Sequence, residues 1–480
     1  MNRNVTFTIK HGVRMSFNNL ILNMGLEAFE EPAEVIPEPA DQVYVEPVAV
    51  EEANAIVVER NIAIEERAVA MAETELVDAL ADNRALLDVA DAVDTVAASL
   101  ESYVAAGTIS SDVAGLLNQQ LSVALENIGK DVTQLNGGLE SFDDAEATLA
   151  YFHAGLEALN DAKGTIGSKI AGALVGINQS MMRWIEGVAT KAGRLRKTAG
   201  EIIKDAQSAT GSRVVKSRNK FLAVKADKAS TNLVSDLNTF TKMVTDLSSG
   251  YMGKVGSFAN GQVNSALSSM KNVTKLTEAK AIVDKLVPPP YPGANINISD
   301  TPKLTLKRTD VTLGGFAVFE LRYKTSNGDT VGEVTSQVKA IGMHRVSLKR
   351  PKDEKGGKVL YEATHTPADA VAIANAVIKC CDAALAVQRN VKWTTPFFSA
   401  VGNHIKALEA ATVQSNSFAE SGVNTVVYTL CKLPSQLVDS VGSLMREIPV
   451  AVTSVCDAAL DVAKQAARGG NNTSSTKDDE

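Results

Sequence analysis

Apolar residues recur at intervals of three and four along most of the chain, the spacing that gathers them on one face of an α-helix. Leu76, Leu80, Leu87, Ala90, Ala97 and Val104 fall at heptad-compatible positions, and Asn83 and Asp94 interrupt the same seam. Ser110-Ser111-Asp112 offers N-cap side chains to a second helix, whose face is Val113, Leu117, Leu121, Ala124 and Ile128. Asn136-Gly137-Gly138 is expected to break the chain, and Leu149, Phe152, Leu156 and Leu159 resume the pattern. Leu233, Leu237, Phe240, Val244 and Leu247 form another amphipathic face, continued by Val263, Leu267, Met270, Val273 and Leu276.

The period changes after Leu286-Val287-Pro288-Pro289-Pro290-Tyr291-Pro292-Gly293, the strongest boundary signal in the chain. Lys303–Lys307 alternates as a half-buried strand does, and Phe316–Tyr323 is β-rich. Ser326-Asn327-Gly328-Asp329 reads as a hairpin turn, Val331–Val338 and Met343–Leu348 as strands, Asp353–Gly357 as a polar turn, and Lys358–Thr364 as the closing strand. Thr366-Pro367-Ala368-Asp369 restarts helices with Pro in the first turn. Val371, Ala374, Ile378, Cys381 and Leu385 carry the rhythm, then Val401, Ile405 and Leu408. Pro434 and Pro449 are expected to divide the remainder into short helices.

These patterns predict a mainly α chain, a multi-helix body with a small antiparallel β module inserted before a C-terminal helical region. The expected organisation is a disordered acidic leader (1–52), a helical domain (53–286), a Pro-rich linker (287–295) and a β module of about five strands (296–366). A C-terminal helical domain (367–468) and a disordered tail (469–480) follow.

Charge refines this picture. The net charge of −8 argues against general nucleic-acid binding by the whole chain. Its distribution is uneven: Glu27–Glu52 holds nine acidic residues and no Lys or Arg, and four prolines interrupt that stretch. Arg183–Lys228 holds twelve Lys/Arg against four Asp/Glu. In that basic region (183–228), Arg183, Lys191, Arg194, Arg196, Lys197, Lys204, Arg213, Lys216, Arg218 and Lys220 are the candidates for phosphate contacts. The competing reading is a solvated helix face balanced by acidic partners. Only Trp184 and Phe221 interleave the cations, so stacking on single strands is not expected.

Residues 164–190 are Gly-rich around an apolar core, Ile170–Ile177, with Gly172 and Gly176 in GxxxG spacing. Lys169, Arg183 and Glu186 interrupt the stretch, which favours a soluble helix packed closely on a neighbour over a membrane-active one. No eighteen-residue uncharged apolar run is present, so no transmembrane segment is expected. Cys380, Cys381, Cys431 and Cys456 lack C-x-x-C spacing and read as reduced core residues, with no metal or cofactor implied.

The P-loop, H-E-x-x-H, EF-hand and G-x-S-x-G patterns are missing from the sequence. His11, His153, His344, His365 and His404 are scattered, with His153 expected at a core boundary. His344 and His365 bracket the β module, where they could meet in space. Asp143-Asp144 suits a helix start, where it complements the dipole. No catalytic role is assigned, and a non-enzymatic protein is expected.

Gly25-Leu26-Glu27, Ala49-Val50-Glu51 and Ala63-Ile64-Glu65 each place a small residue two before a Glu. They resemble the small-x-Glu sites cut by the maturation proteases of giant (jumbo) tailed phages. With the short amphipathic start, the acidic Pro/Glu arm and the Ala/Val-rich body, the chain is similar to the internal head (inner-body) virion proteins of those phages. The resemblance implies a structural protein packed with DNA in the head interior, beside other virion proteins. It further implies a propeptide removed by the head protease, and a host-cytoplasmic phase during assembly or after ejection. The tripeptide recurs in predicted helices at Glu126, Glu140 and Glu157. A protease needs an extended, accessible chain, which favours Glu27 and Glu51, with Glu65 third. The alternatives are a membrane-interacting helical effector or pore former using residues 164–190, and a cryptic enzyme built on the β module. Gly12-Val13-Arg14 also reads as a translated ribosome-binding stretch, making Met15 a candidate start.

Overall fold

A computed structural model describes residues 47–469 apart from 108, 128, 130–132, 134–141, 226–227, 326, 352–358 and 415–421. Within helices, the side chains of 47–62, 65, 160, 163–164 and 409–414 also lie outside the description. The chain divides into two units, Met1–Asn61 and Ile62–Glu480. Of the first, only the backbone of a helix beginning at Pro47 is described. Met15, Glu27, the break at Asn136–Gly138, the turn at Asp353–Gly357 and the tail beyond Gly469 fall outside the described residues.

Three long helices dominate the second unit together with shorter ones packed on them. Helix α1 spans Pro47–Ala106, α2 Ser111–Asn127 and α3 Ala145–Ser208. Asp144 caps α3 by accepting the backbone N–H groups of Glu146 and Ala147, as the acidic pair suggests. After β1 (Arg213–Ser217), β2 (Ala223–Lys225) and β3 (Lys228–Ala229), helical backbone runs from Leu233 to Ser269. It comprises α4 (Leu233–Thr245), α5 (Met252–Ser257) and α6 (Asn264–Ser269), joined by π-helical turns at Asp246–Tyr251 and Phe258–Val263. Helix α7 covers Leu276–Val283. Strands β4 (Ile296–Asp300), β5 (Leu304–Arg308), β6 (Ala317–Tyr323) and β7 (Arg345–Lys349) form one antiparallel sheet in that order, with α8 (Val331–Gly342) between β6 and β7. Strand β8 (Tyr361–His365), α9 (Pro367–Asn390), α10 (Thr394–Gln414) and α11 (Val423–Ala467) complete the described fold.

The mainly α architecture with an antiparallel module matches the expectation, and four details correct it. Val331–Val338 is helical, because Val331, Val334 and Val338 keep the 3/4 spacing and Thr330 and Glu333 form a capping box. The module's sheet holds four strands, one of which, β4, the sequence reading did not mark. The fifth expected strand, β8, pairs instead with β1 of the basic region, in register from Arg213↔His365 to Ser217↔Tyr361. The Pro-rich segment is not a free spacer: Leu286, Tyr291 and Ala294 are buried, and Tyr291 meets Tyr251 edge to face. Pro434 and Pro449 do not divide the C-terminal region, since both lie inside the continuous α11. That helix is buried along most of its length and its packing outweighs the lost backbone donors.

Helices α3, α9 and α11 pack on one another, with α4 against α9, α10 against α3, and α8 and β7 against α11. The seam predicted on α1 is buried at Leu76, Leu80, Leu87, Ala90 and Ala97. Gly172 and Gly176 are exposed with open space where a Cβ would stand, so the GxxxG pair mediates no close packing. Close approach occurs instead at Gly187, where a Cβ would lie 2.9 Å from a Val69 methyl. Pro367–Leu408 is long and apolar enough to cross a membrane by length and composition, and most of its apolar window is buried within the protein.

Candidate functional site

The basic region is built from two kinds of structure. Arg183 to Lys204 lie on α3, whose opposite face, including Trp184, Val188, Leu195 and Ile202, is in the core. Arg213 to Lys220 lie on β1 and the turn after it. Four of the ten candidates are engaged inside the protein. Arg183 reaches Glu75 at 2.5 Å, Arg194 reaches Glu66 at 3.6 Å, Arg196 reaches Asp382 at 3.3 Å, and Lys216 reaches Glu362 at 2.9 Å across the β1–β8 pair. Lys191 and Arg194 also face Asp457, whose carboxyl is raised by burial and by Asp461 against their pull. Lys197, Lys204, Arg213, Arg218 and Lys220 have no ion pair among the described residues. Lys220 stands over the Phe221 ring, 5.2 Å from its centre, and that ring stacks on Phe316. The candidates without an ion pair thus divide between the end of α3, with Lys197 and Lys204, and the connection beyond it, with Arg213, Arg218 and Lys220.

The three proposed cleavage positions fall differently. Glu27 lies outside the described residues. Glu51 and Glu65 both lie in α1, so the extended leader expected to reach residue 52 has become helix by Pro47. Glu51 is within the first two turns, where helix ends fray. Glu65 is deeper, beside Glu66, and one turn before the buried Val69.

Two buried polar clusters, only partly indicated by sequence pattern, stand out in the body. In the first, Lys432 of α11, 1% exposed, donates to Asp91 at 2.8 Å and to Asp94 of α1, with its ammonium above the Tyr428 ring. Asn83 donates to the Ser435 carbonyl, and Arg84 pairs with Asp439 at 2.7 Å. The two polar interruptions of the α1 seam are therefore its register marks against α11. Asp439 also meets Arg345 of β7 at 3.5 Å, which ties the sheet to the same pair of helices.

The second cluster lies between the sheet and the Pro-rich segment. Glu320 of β6 accepts from Arg322 Nε at 2.7 Å, from His344 Nε2 at 3.1 Å and from the Tyr291 backbone N–H at 3.3 Å, all on one oxygen. Burial raises the Glu320 carboxyl, but the His344 and Arg322 hydrogen bonds and the Arg322 charge outweigh it and hold the group below its ordinary value. Burial likewise pushes His344 below its ordinary value, against the pull of Glu320. The pair is then a neutral imidazole donating to a carboxylate. His365 does not join it. That ring accepts from or donates to the Tyr361 hydroxyl at 2.7 Å, beside β1. His153 is exposed rather than at a core boundary.

All four cysteines are free and buried. Cys456 contacts Cys380 and Cys381, and those contacts together with burial raise its thiol well above the ordinary value, which leaves it protonated and inert. No cluster of three or more His, Cys, Asp or Glu suited to a metal ion occurs among the described residues.

Comparisons with curated proteins and with solved structures return no match. A family model described as phiKZ-like phage internal head proteins matches residues 63–465. The match starts one residue after the second unit begins at Ile62, and it ends close to the last turn of α11. It spans the helical body, the sheet module and both polar clusters, and with so much of the chain covered it assigns the protein to the family, a component of the virion located inside the head: this chain is a phiKZ-like phage internal head protein.

Proposed function

We propose that the protein is a non-enzymatic structural component that is packed beside the genome after a head protease removes part of its first 65 residues. The observation that carries this reading is the separation between the family-matched body, from residue 63, and the acidic segment before it. A cut after Glu27 or Glu51 leaves the matched body whole, whereas one after Glu65 requires α1 to unwind next to the ion-paired Glu66. Residues 1–51 carry eight acidic and three basic side chains, so their loss moves the formal net charge from −8 to −3. The released body repels a polyanion less. Mass spectrometry of virion-derived protein is expected to find a new N-terminus at Ala28 or Glu52. A virion protein that retains the residues before Glu27 sinks the proposal.

The DNA contact is assigned to Lys197, Lys204, Arg213, Arg218 and Lys220, five of the six candidates without an ion pair among the described residues, the sixth, Lys191, facing Asp457. Such contacts neutralise phosphates and release counterions without reading sequence. Duplex affinity is expected to fall steeply with salt. The double substitution Lys197→Gln/Lys204→Gln is expected to reduce the slope of log affinity against log salt by about 2. Unchanged slope, or no binding at low salt, removes DNA from the proposal. Ejection into the host follows the family resemblance, and tagged protein that stays with empty particles after infection contradicts it. The membrane reading is disfavoured because Ile166, Ile170, Leu174 and Ile177 of the 164–190 segment face the core.

A further inference from the structure

Strands β5 and β6 pair so that Thr305 stands opposite Arg322 and Lys307 opposite Glu320. Residues two apart on a strand share a face, so these four side chains belong to one face of the sheet. Pro290 and Tyr291 from the Pro-rich segment face the same place, and together they line a cleft of about 260 Å³. Arg322 forms part of its wall and also borders a second cleft of about 180 Å³, on the side where His344 and Gln337 stand.

The charges in the larger cleft do not balance. Lys307 and Arg322 contribute two cations and Glu320 one carboxylate. One Glu320 oxygen already accepts three hydrogen bonds, and Lys307, directly across the strands, makes no ion pair among the described residues. Arg322 uses Nε on Glu320 and one Nη2 hydrogen on the Pro288 carbonyl, a long contact at 3.4 Å. The rest of its donor fork has no partner among the described residues, while Thr305, which also lines the cleft, donates its hydroxyl to Asp300 Oδ1 at 3.2 Å.

We propose that this cleft binds a small phosphorylated molecule, its phosphate held between Arg322 and Lys307 on the sheet face beneath the Pro-rich segment. A guanidinium fork matches the oxygens of a phosphate, and two cations on neighbouring strands suit a dianion better than a single carboxylate. Glu320 acts as the fixed base of the site: it aims Arg322 and ties Tyr291, and so the covering segment, to the sheet. The cleft's volume admits a phosphate, a sugar phosphate or a mononucleotide and is far too small for a duplex, which separates this site from the basic clusters on α3 and β1. The apolar wall of Pro290, Tyr291 and Ala294 gives an organic substituent on the phosphate something to lie against.

The test is calorimetric titration of the full chain at constant ionic strength with inorganic phosphate and, separately, a deoxynucleoside monophosphate. Saturable binding of at least one, weakened tenfold or more by Lys307→Gln and unaffected by Lys204→Gln on α3, is the expected result. Lys307 is exposed and its loss leaves the Glu320 contacts intact, so the variant remains folded, which a thermal melt verifies. Tighter binding of the nucleotide identifies a ligand that uses the apolar wall, and equal binding identifies the phosphate group alone. Both support the site. Absence of saturable binding of either compound, or equal loss in Lys307→Gln and Lys204→Gln, overturns it.

Discussion

The Lys432 cluster and the Glu320 cluster are both buried, both contain a cation and a carboxylate, and they behave as opposites. Lys432 is enclosed between α1 and α11 with two carboxylates and an aromatic ring around its ammonium. Asp91 also meets Lys339 of α8 at 4.0 Å, and Asp439 nearby joins Arg84 to Arg345, so these two carboxylates each link three elements. In the Glu320 cluster one carboxylate oxygen takes all three hydrogen bonds while the cation keeps free donors at the edge of a cleft. The difference teaches how polar groups serve a helical body. A closed set, with every charge answered, specifies which turn of one helix meets which turn of another. An open set, with charge left over, is a place where something outside the chain can bind.

The sharpest way to break the comparison is to remove one partner from the closed set. Lys432→Met leaves Asp94, 6% exposed, as a buried carboxylate without its ammonium. Loss of one partner of a buried pair costs about 3–5 kcal/mol, and chemical denaturation should show that loss. Adding Asp94→Leu to Lys432→Met is expected to restore most of it, because burying a matched apolar pair is neutral or favourable. If the double variant is no more stable than the single one, the cluster does more than hold register.

The same operation on the open set should cost less. Glu320→Gln keeps an acceptor for the Tyr291 N–H and releases Arg322, which is 37% exposed along its side chain and can be hydrated. The expected loss is about 1–2 kcal/mol, the value of charge-assisted hydrogen bonds exchanged for weaker ones. A loss equal to that of Lys432→Met would erase the distinction between the two clusters.

The two clusters also differ in how far the sequence reveals them. Asn83 and Asp94 are visible as polar interruptions of an apolar seam, but Ser435 and Lys432, their partners, lie more than 330 positions away, and no local pattern connects them. Glu320 and Arg322 are charged residues inside the β-rich run FAVFELRY, two apart on one face, which is the signal that could have marked them. The helical body is legible because 3/4 spacing is a local property, and the Asp144 and Thr366 caps stand where the sequence puts them. The reading of Val331–Val338 as a strand had a local remedy too, in the Thr330/Glu333 capping box. Nothing local foretells the β1–β8 pairing, or that α11 runs unbroken through two prolines, since both follow from what surrounds those segments.

Acidity separates the clusters by the smallest expected effect. Burial is the main reason His344 sits below the ordinary imidazole value of 6.5, opposed by its hydrogen bond to Glu320 and assisted by the charges of Arg322 and Arg345. With the folded value depressed, the unfolded chain binds more protons as pH falls through 6.5, so this contribution is fully present above that point and is lost below it. His365 and His404 are lowered in the same direction, again chiefly by burial. Glu320 is held below its own ordinary value, so its contribution persists through this window and is lost only at lower pH. Thermal unfolding at pH 5.5 is therefore expected a few degrees below that at pH 7.5. His344→Gln should flatten part of that difference, because the side-chain amide still donates to Glu320 but takes up no proton. Lys432→Met should lower both melting temperatures together and leave their difference unchanged, since neither Lys432 nor its partners Asp91 and Asp94 are among the groups that shift His344. A difference in melting temperature that is the same in His344→Gln as in the unmodified chain would show that the acid response originates at groups other than His344.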